Sequence, residues 1–207
     1  MLKRYLSLFV LSLVLLSSAF GYQIGDWAVW SGGRIVGVEV NGGVNLLAQF
    51  LSESAGYKST IGYFTFTDPT DASTFGPDVV LWPNASALGS GGTLLPGDTK
   101  TIGTLPLGTK VGIYLIANGY NRKGRPIYRT TIAGGSDTLQ HYNAVIDPAK
   151  LWIRFAWEDM VALGDKDYND VIIKMMGAPM PVAGLTFGMT SLLSGAFMFM
   201  RKRRMMS

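Results

Sequence analysis

Leu151-Trp152-Ile153-Arg154-Phe155-Ala156-Trp157, then Glu158-Asp159, and four residues later Gly164-Asp165-Lys166-Asp167-Tyr168-Asn169-Asp170 running into Val171-Ile172-Ile173-Lys174-Met175, is the stretch whose reading decides the fold. In its first part Leu151, Ile153, Phe155 and Trp157 alternate with Trp152, Arg154 and Ala156. In its last part Val171, Ile173 and Met175 alternate with Ile172 and Lys174. A period of two marks strands with one buried face, so two strands bracket an acidic loop.

That loop gathers five carboxylates and one carboxamide, Glu158, Asp159, Asp165, Asp167, Asn169 and Asp170, within thirteen residues. Like charges so close repel one another and raise some of their pKa values, whereas a hard cation with six to eight oxygen ligands makes the same cluster favourable. These six residues are the expected ligands of a calcium ion. Asp165, Asp167 and Asn169 fall at i, i+2 and i+4, so their side chains converge while Lys166 and Tyr168 point away. The spacing is that of an EF-hand's opening. Asp170 stands where its turn glycine belongs and Met176 where its bidentate glutamate belongs, and the flanks are strands, so an EF-hand is rejected. The competing reading is a solvated turn held by Asx hydrogen bonds.

Further short alternating or apolar runs lie upstream: Ile35 to Val40, Leu46 to Leu51, Thr60 to Thr67, Val79 to Trp82, Val111 to Ala117, Ile127 to Ile132 and Tyr142 to Ile146. Asn41-Gly42-Gly43, Asp68-Pro69, Gly91-Gly92, Pro96-Gly97-Asp98, Asn118-Gly119 and Gly134-Gly135 separate them with turn chemistry. The expected fold class is all-β, an antiparallel β-sandwich or jelly roll. Ala48 to Gly56 has an alternative reading as the start of a short helix, and residues 70–104, rich in Gly, Ser, Thr and Pro, resist assignment.

The ends of the chain have a different character. Lys3 and Arg4 precede an apolar run from Tyr5 to Leu16, followed by small residues from Ser17 to Gly21. That pattern predicts a signal peptide over residues 1–21, whose twelve-residue apolar run is too short to span a bilayer. Val182 to Met200 is a mainly apolar run of nineteen residues, about 28 Å long as a helix, closed by Arg201, Lys202, Arg203 and Arg204. A transmembrane helix with its basic end in the cytoplasm places residues 22–177 outside the membrane as one domain.

Ala178-Pro179-Met180-Pro181-Val182-Ala183-Gly184, the helix and the basic end together resemble a PEP-CTERM sorting tail over residues 178–207. The order of the three parts matches, with Met180 between Pro179 and Pro181 where the family's motif carries an acidic residue. The resemblance implies an exosortase partner and passage towards the cell surface or extracellular matrix; retention by the membrane helix is the alternative.

Phe155-Ala156-Trp157-Glu158-Asp159, Gly164 and Asp165-Lys166-Asp167-Tyr168-Asn169-Asp170-Val171 also resemble the closing signature of the exported domain-of-unknown-function family numbered 4114. Tyr63-Phe64, the strand from Gly108 to Ala117, Tyr128 with Thr130, and His141 follow that family's order, so the resemblance runs from Leu47 to Met175. It implies a secreted or surface protein, a calcium site at the acidic loop, and no named activity.

Composition narrows the chemistry. The chain carries +4 overall, yet six of its eighteen basic residues lie in the two end segments, leaving twelve against fourteen acids between them. Such a balance does not recommend nucleic acid. There is no cysteine, hence no disulfide, and His141 is the only histidine, so a zinc site with two imidazoles is impossible. His141 reads as a hydrogen-bonded structural residue. The Gly-rich stretches lack the Gly-Lys-Ser/Thr ending of a phosphate loop. A glycosidase-like pair of Glu158 with Asp165, Asp167 or Asp170 is the best enzyme reading, but a cation uses these groups better. No enzyme is expected.

Core or edge packing is the first reading for each tryptophan, Trp157 as core and Trp27 and Trp30 as a cover near the start of the domain, with Trp82 and Trp152 the two best placed to bind a ligand instead. Arg122, Lys123 and Arg125 form a basic turn suited either to acidic polysaccharide or to plain solvation. The expected protein is a non-catalytic surface or matrix protein, structural or adhesive, with polysaccharide or surface protein as partner. A carbohydrate-binding module for exopolysaccharide is the alternative.

Overall fold

A computed structural model describes residues 27–40, 44–149 and 151–179. The expected signal peptide and membrane helix, together with Pro181, Arg201, Lys202, Arg203 and Arg204, lie outside the described residues. Among the described residues no helix is long and apolar enough to cross a membrane.

The described residues form eleven strands: β1 (Ala28–Ser31), β2 (Arg34–Glu39), β3 (Val44–Glu53), β4 (Thr60–Phe66), β5 (Val79–Trp82), β6 (Thr99–Gly103), β7 (Lys110–Ile116), β8 (Ile127–Arg129), β9 (Tyr142–Ile146), β10 (Trp152–Trp157) and β11 (Val171–Pro179). One sheet has the order β1-β2-β7-β4-β5, with β8 also pairing with β7; the second has the order β6-β3-β11-β10-β9. Every strand pair in both is antiparallel. The chain is an all-β sandwich.

The inward residues interdigitate in one core: Val38, Ile61, Val111, Ile113 and Leu115 from the first sheet meet Phe50, Ile153, Phe155, Trp157, Ile173 and Met175 from the second. Alternation explains the long strand β3, where Val44, Leu46, Ala48 and Phe50 are buried and their neighbours half-buried. The helical alternative over Ala48 to Gly56 therefore fails. Leu151 was assigned inward, but β10 starts one residue later and Leu151 is exposed.

The first sheet is also covered on its outer face. Val36, Phe64, Phe66 and Tyr114 pack there with Phe75, which follows the 3-10 turn Ala72–Thr74. The Arg129 guanidinium lies 4.5 Å from the centre of the Phe64 ring and pairs with both Asp78 oxygens at 2.8 and 2.7 Å. Gly62 makes room for this layer, since a Cβ there would lie 2.3 Å from Tyr114 Cζ. Strand β8 stops short of the expected Ile132 because the Thr130 hydroxyl takes over the ladder, accepting from Ile113 N at 3.0 Å.

Two edge strands, β1 and β6, escaped the pattern reading. Strand β11 passes the expected boundary at residue 177, pairing Ala178 and Pro179 with Asn45 and Val44.

Tyr142 straps the sheets together. From β9 its hydroxyl reaches Ile35 O at 2.7 Å and Thr130 O at 2.8 Å across the core. Tyr142→Phe removes the one hydroxyl proton that these two buried carbonyls share, for an expected loss of about 1–3 kcal/mol in denaturant titration. An unchanged midpoint would show that the strap contributes nothing.

Candidate metal centre

The hairpin register sets the site. Trp157 pairs with Val171, so Glu158 and Asp170 face one another just past the last rung. Asp170 N donates to Trp157 O at 3.1 Å, and Asp170 Oδ2 accepts from Asp159 N at 2.7 Å. This closes the neck of the acidic loop. On the other side β3 ends beside it, with Glu53 opposite Val171.

Backbone conformation then folds the loop back over its neck. Ala162, Leu163, Lys166 and Tyr168 all have positive φ, and the one other non-glycine residue of this kind among the described residues is Asn118. Each such residue costs about 1–2 kcal/mol, and such strain gathers where other interactions repay it. The left-handed turns at Lys166 and Tyr168 alternate with Asp165, Asp167 and Asn169. Gly164, at φ +40°, sits against the site, where a Cβ would lie 2.5 Å from Glu158 Oε1.

Three carboxylates converge as a result. Glu158, Asp165 and Asp167 each offer an oxygen within 4.8 Å of the others, a spacing at which one metal ion can be held. Glu158 is 1% exposed, and its Oε2 is buried with no hydrogen-bond partner. A buried, unpaired carboxylate oxygen is expensive unless a cation or a proton satisfies it.

Of the other expected ligands, Asn169 donates to Asp167 through its backbone at 3.1 Å and through its amide. Asp170 braces the neck. Asp159 is buried and turned towards Ser59, whose hydroxyl donates to Asp159 Oδ2 at 2.8 Å. Burial first, and then the charge of Asp170, push the Glu158 carboxyl up to about 7. Burial likewise pushes Asp159 up to about 7, against the lowering effect of the Ser59 hydrogen bond.

These shifts have a definite sign in stability. A carboxyl whose folded pKa exceeds its unfolded one binds more protons when folded, so the fold loses stability as pH rises between the two values. For Glu158 and Asp159 the window runs from the ordinary carboxylate range to about 7. Metal-free protein is therefore expected to lose melting temperature across that window, and saturating calcium to flatten the decline. Equal slopes with and without calcium would show that the metal does not engage these groups.

His141 is structural, as expected. It is 1% exposed, stacked on Tyr128 with ring centres 3.5 Å apart, and both ring nitrogens face oxygens, Glu158 O at 3.1 Å and Asp137 Oδ2 at 3.0 Å. Neither nitrogen is free for a metal. Trp82 departs from its expected role: it is 3% exposed and packs edge-on against Phe50, so it presents no face to a ligand. Trp152 is half-buried: it alternates with the inward residues of β10 and has the Lys174 ammonium 5.9 Å from its ring centre, yet it also packs against the core. Trp30 points to solvent, while Trp27 packs against the core.

Sequence reading missed Glu53 and Ser59. Glu53 Oε2 accepts from Ala87 N at 3.1 Å, and its other oxygen is buried without a partner. Both residues lie about a hundred positions upstream of the acidic loop, and no local pattern ties them to it.

An antiparallel sandwich whose terminal hairpin can hold a metal ion is the class that fold and site define. Residues 105–178 match the family model described as "Domain of unknown function (DUF4114)", and over that stretch the chain resembles this family. The matched segment contains β7 to β10, all of β11 but its last residue, His141 and the whole acidic loop. No curated protein and no solved structure matches the chain.

Proposed function

We propose that this is a non-catalytic, exported surface or matrix protein whose acidic hairpin is ordered by calcium. The convergence of the Asp165 and Asp167 carboxylates with that of Glu158, which is buried and has one oxygen unpaired, carries the reading. The donor set is all oxygen, which suits a hard cation, and calcium accepts a crowded, irregular carboxylate set more readily than magnesium does. Glu158, Asp165 and Asp167 would hold the ion, with Asp159, Asn169 and Asp170 arranged around them. The bound ion would supply charge neutralisation, stabilising a strained loop that otherwise repels itself.

Export, sorting by an exosortase and anchoring or release at the surface rest on the sequence of residues 1–21 and 178–207. A structural or adhesive role accords with a compact sandwich presenting a metal-ordered loop at one end. Calorimetric titration of the protein with calcium tests the central claim, repeated on Asp167→Ala. Absence of heat in the unmutated protein overturns it. The runner-up, a carbohydrate-binding module, has Trp152 as its remaining aromatic candidate, and a glycan array run with and without chelator separates the two.

A further inference from the structure

The end of the sandwich that carries the acidic hairpin also carries an opposite charge. Strand β3 ends and β4 begins there, as β7 ends and β8 begins, so the β3–β4 loop (54–59) and the β7–β8 loop (117–126) lie side by side. Tyr120 N donates to Lys58 O at 3.0 Å, pinning one loop to the other. Ser59 joins both loops to the hairpin: its hydroxyl donates to Asp159 and accepts from Asn118 N at 3.2 Å.

These two loops contain Lys58, Arg122, Lys123 and Arg125 and not one acid, a third of the domain's basic residues in sixteen positions. Two tyrosines lie among them. Arg125 is held over the Tyr57 ring at 5.6 Å and donates to Ala117 O at 3.3 Å. Tyr120 is 56% exposed, and Arg122 and Lys123 stand in solvent. The patch thus has fixed members, Arg125 and Tyr57, and free ones.

We propose that this rim binds a carboxylated polysaccharide. Arginine pairs with carboxylates through two parallel hydrogen bonds, and the tyrosine rings offer apolar surface to the carbon-hydrogen faces of sugars. Charge arrangement decides against nucleic acid. Its phosphates follow one another continuously, and a bound strand would be repelled by the acidic hairpin that Ser59 ties to the rim through Asp159. A polysaccharide carries its charges singly, between neutral groups. The inference deepens the adhesive part of the proposed function by naming a partner chemistry, and does not depend on calcium.

The test is binding of the full chain to sodium hyaluronate, with dextran and single-stranded DNA as comparison polymers. Hyaluronate is expected to bind at least about tenfold more tightly than dextran or DNA, and to weaken about tenfold between roughly 50 and 200 mM salt. Arg122→Glu with Lys123→Glu is expected to cost at least tenfold in affinity at an unchanged melting temperature. Should that pair disturb folding, Lys123→Glu alone provides the same comparison with a smaller loss. Equal binding by the variants, equal binding of dextran, or tighter binding of DNA overturns the proposal. The calcium response of the same samples is read separately: hyaluronate binding without a calcium shift sinks the metal reading alone, and the reverse sinks this one alone.

Discussion

Calcium at a hundredfold excess over its dissociation constant is expected to stabilise the protein by about 2.7 kcal/mol, and Asp167→Ala to abolish the effect. For a chain of this size that corresponds to a rise of roughly 5–10 °C in melting temperature. The direction follows from linkage. An ion that needs Glu158, Asp165 and Asp167 together has no site in the unfolded chain, so its binding energy adds to folding. The metal-free baseline supplies an internal check. Removing the exposed Asp167 relieves repulsion on Glu158, while giving up its hydrogen bonds with Asn169, so the baseline is expected to change little. A calcium shift of equal size in wild type and Asp167→Ala would place the ion elsewhere.

Trp157→Ala is expected to cost about 3–5 kcal/mol in denaturant titration, the largest effect of any single change considered. Trp157 is fully buried between the sheets, in ring contact with Tyr142 at 5.4 Å, and its backbone carbonyl anchors the neck of the acidic loop. Truncation opens a cavity in the core at the residue whose carbonyl holds Asp170. Calcium stabilisation should therefore shrink along with global stability. Trp157→Phe separates the contributions: it keeps an aromatic ring and discards an indole N–H that has no partner, so its cost should be under half that of alanine. Trp152→Ala, at a half-buried position at the other end of the same strand, should cost less than about 2 kcal/mol. Comparable losses at Trp152 and Trp157 would contradict the assignment of inner and outer faces.

Strands announced themselves in the sequence wherever one face is buried and the other is not. The alternation of Ile153, Phe155 and Trp157 against Trp152 and Arg154 is a direct imprint of a two-faced sheet. Strands β1 and β6 left no such imprint because burial does not alternate along them: β6 buries Ile102 alone, and β1 buries nothing fully. In β8 the apolar run overshot, since continuation depends on which group satisfies Ile113 N, a partner seventeen residues away. Trp82 shows the same limit from the other side. A four-residue run too short for a clear period concealed that Trp82 belongs to the core, under Phe50.

The acidic loop was legible for a different reason. Charge density is a local property, and five carboxylates in thirteen residues call for a counter-charge whatever the fold. Their division of labour was not legible. That Glu158 is buried with an unpaired oxygen, that Asp159 turns instead to Ser59, and that Glu53 arrives from β3 are outcomes of tertiary packing, the last two between residues a hundred or more positions apart.

By itself the sequence determined the all-β class, the acidic hairpin and the presence of a basic turn, because periodicity and charge are written in neighbouring residues. Tertiary structure alone decided which three carboxylates meet, which tryptophans are hidden, and that acidic and basic loops share one end of the sandwich. The reason is distance along the chain: hydrogen-bond register and burial are set by strands that pair far apart in sequence, and no local window contains both partners.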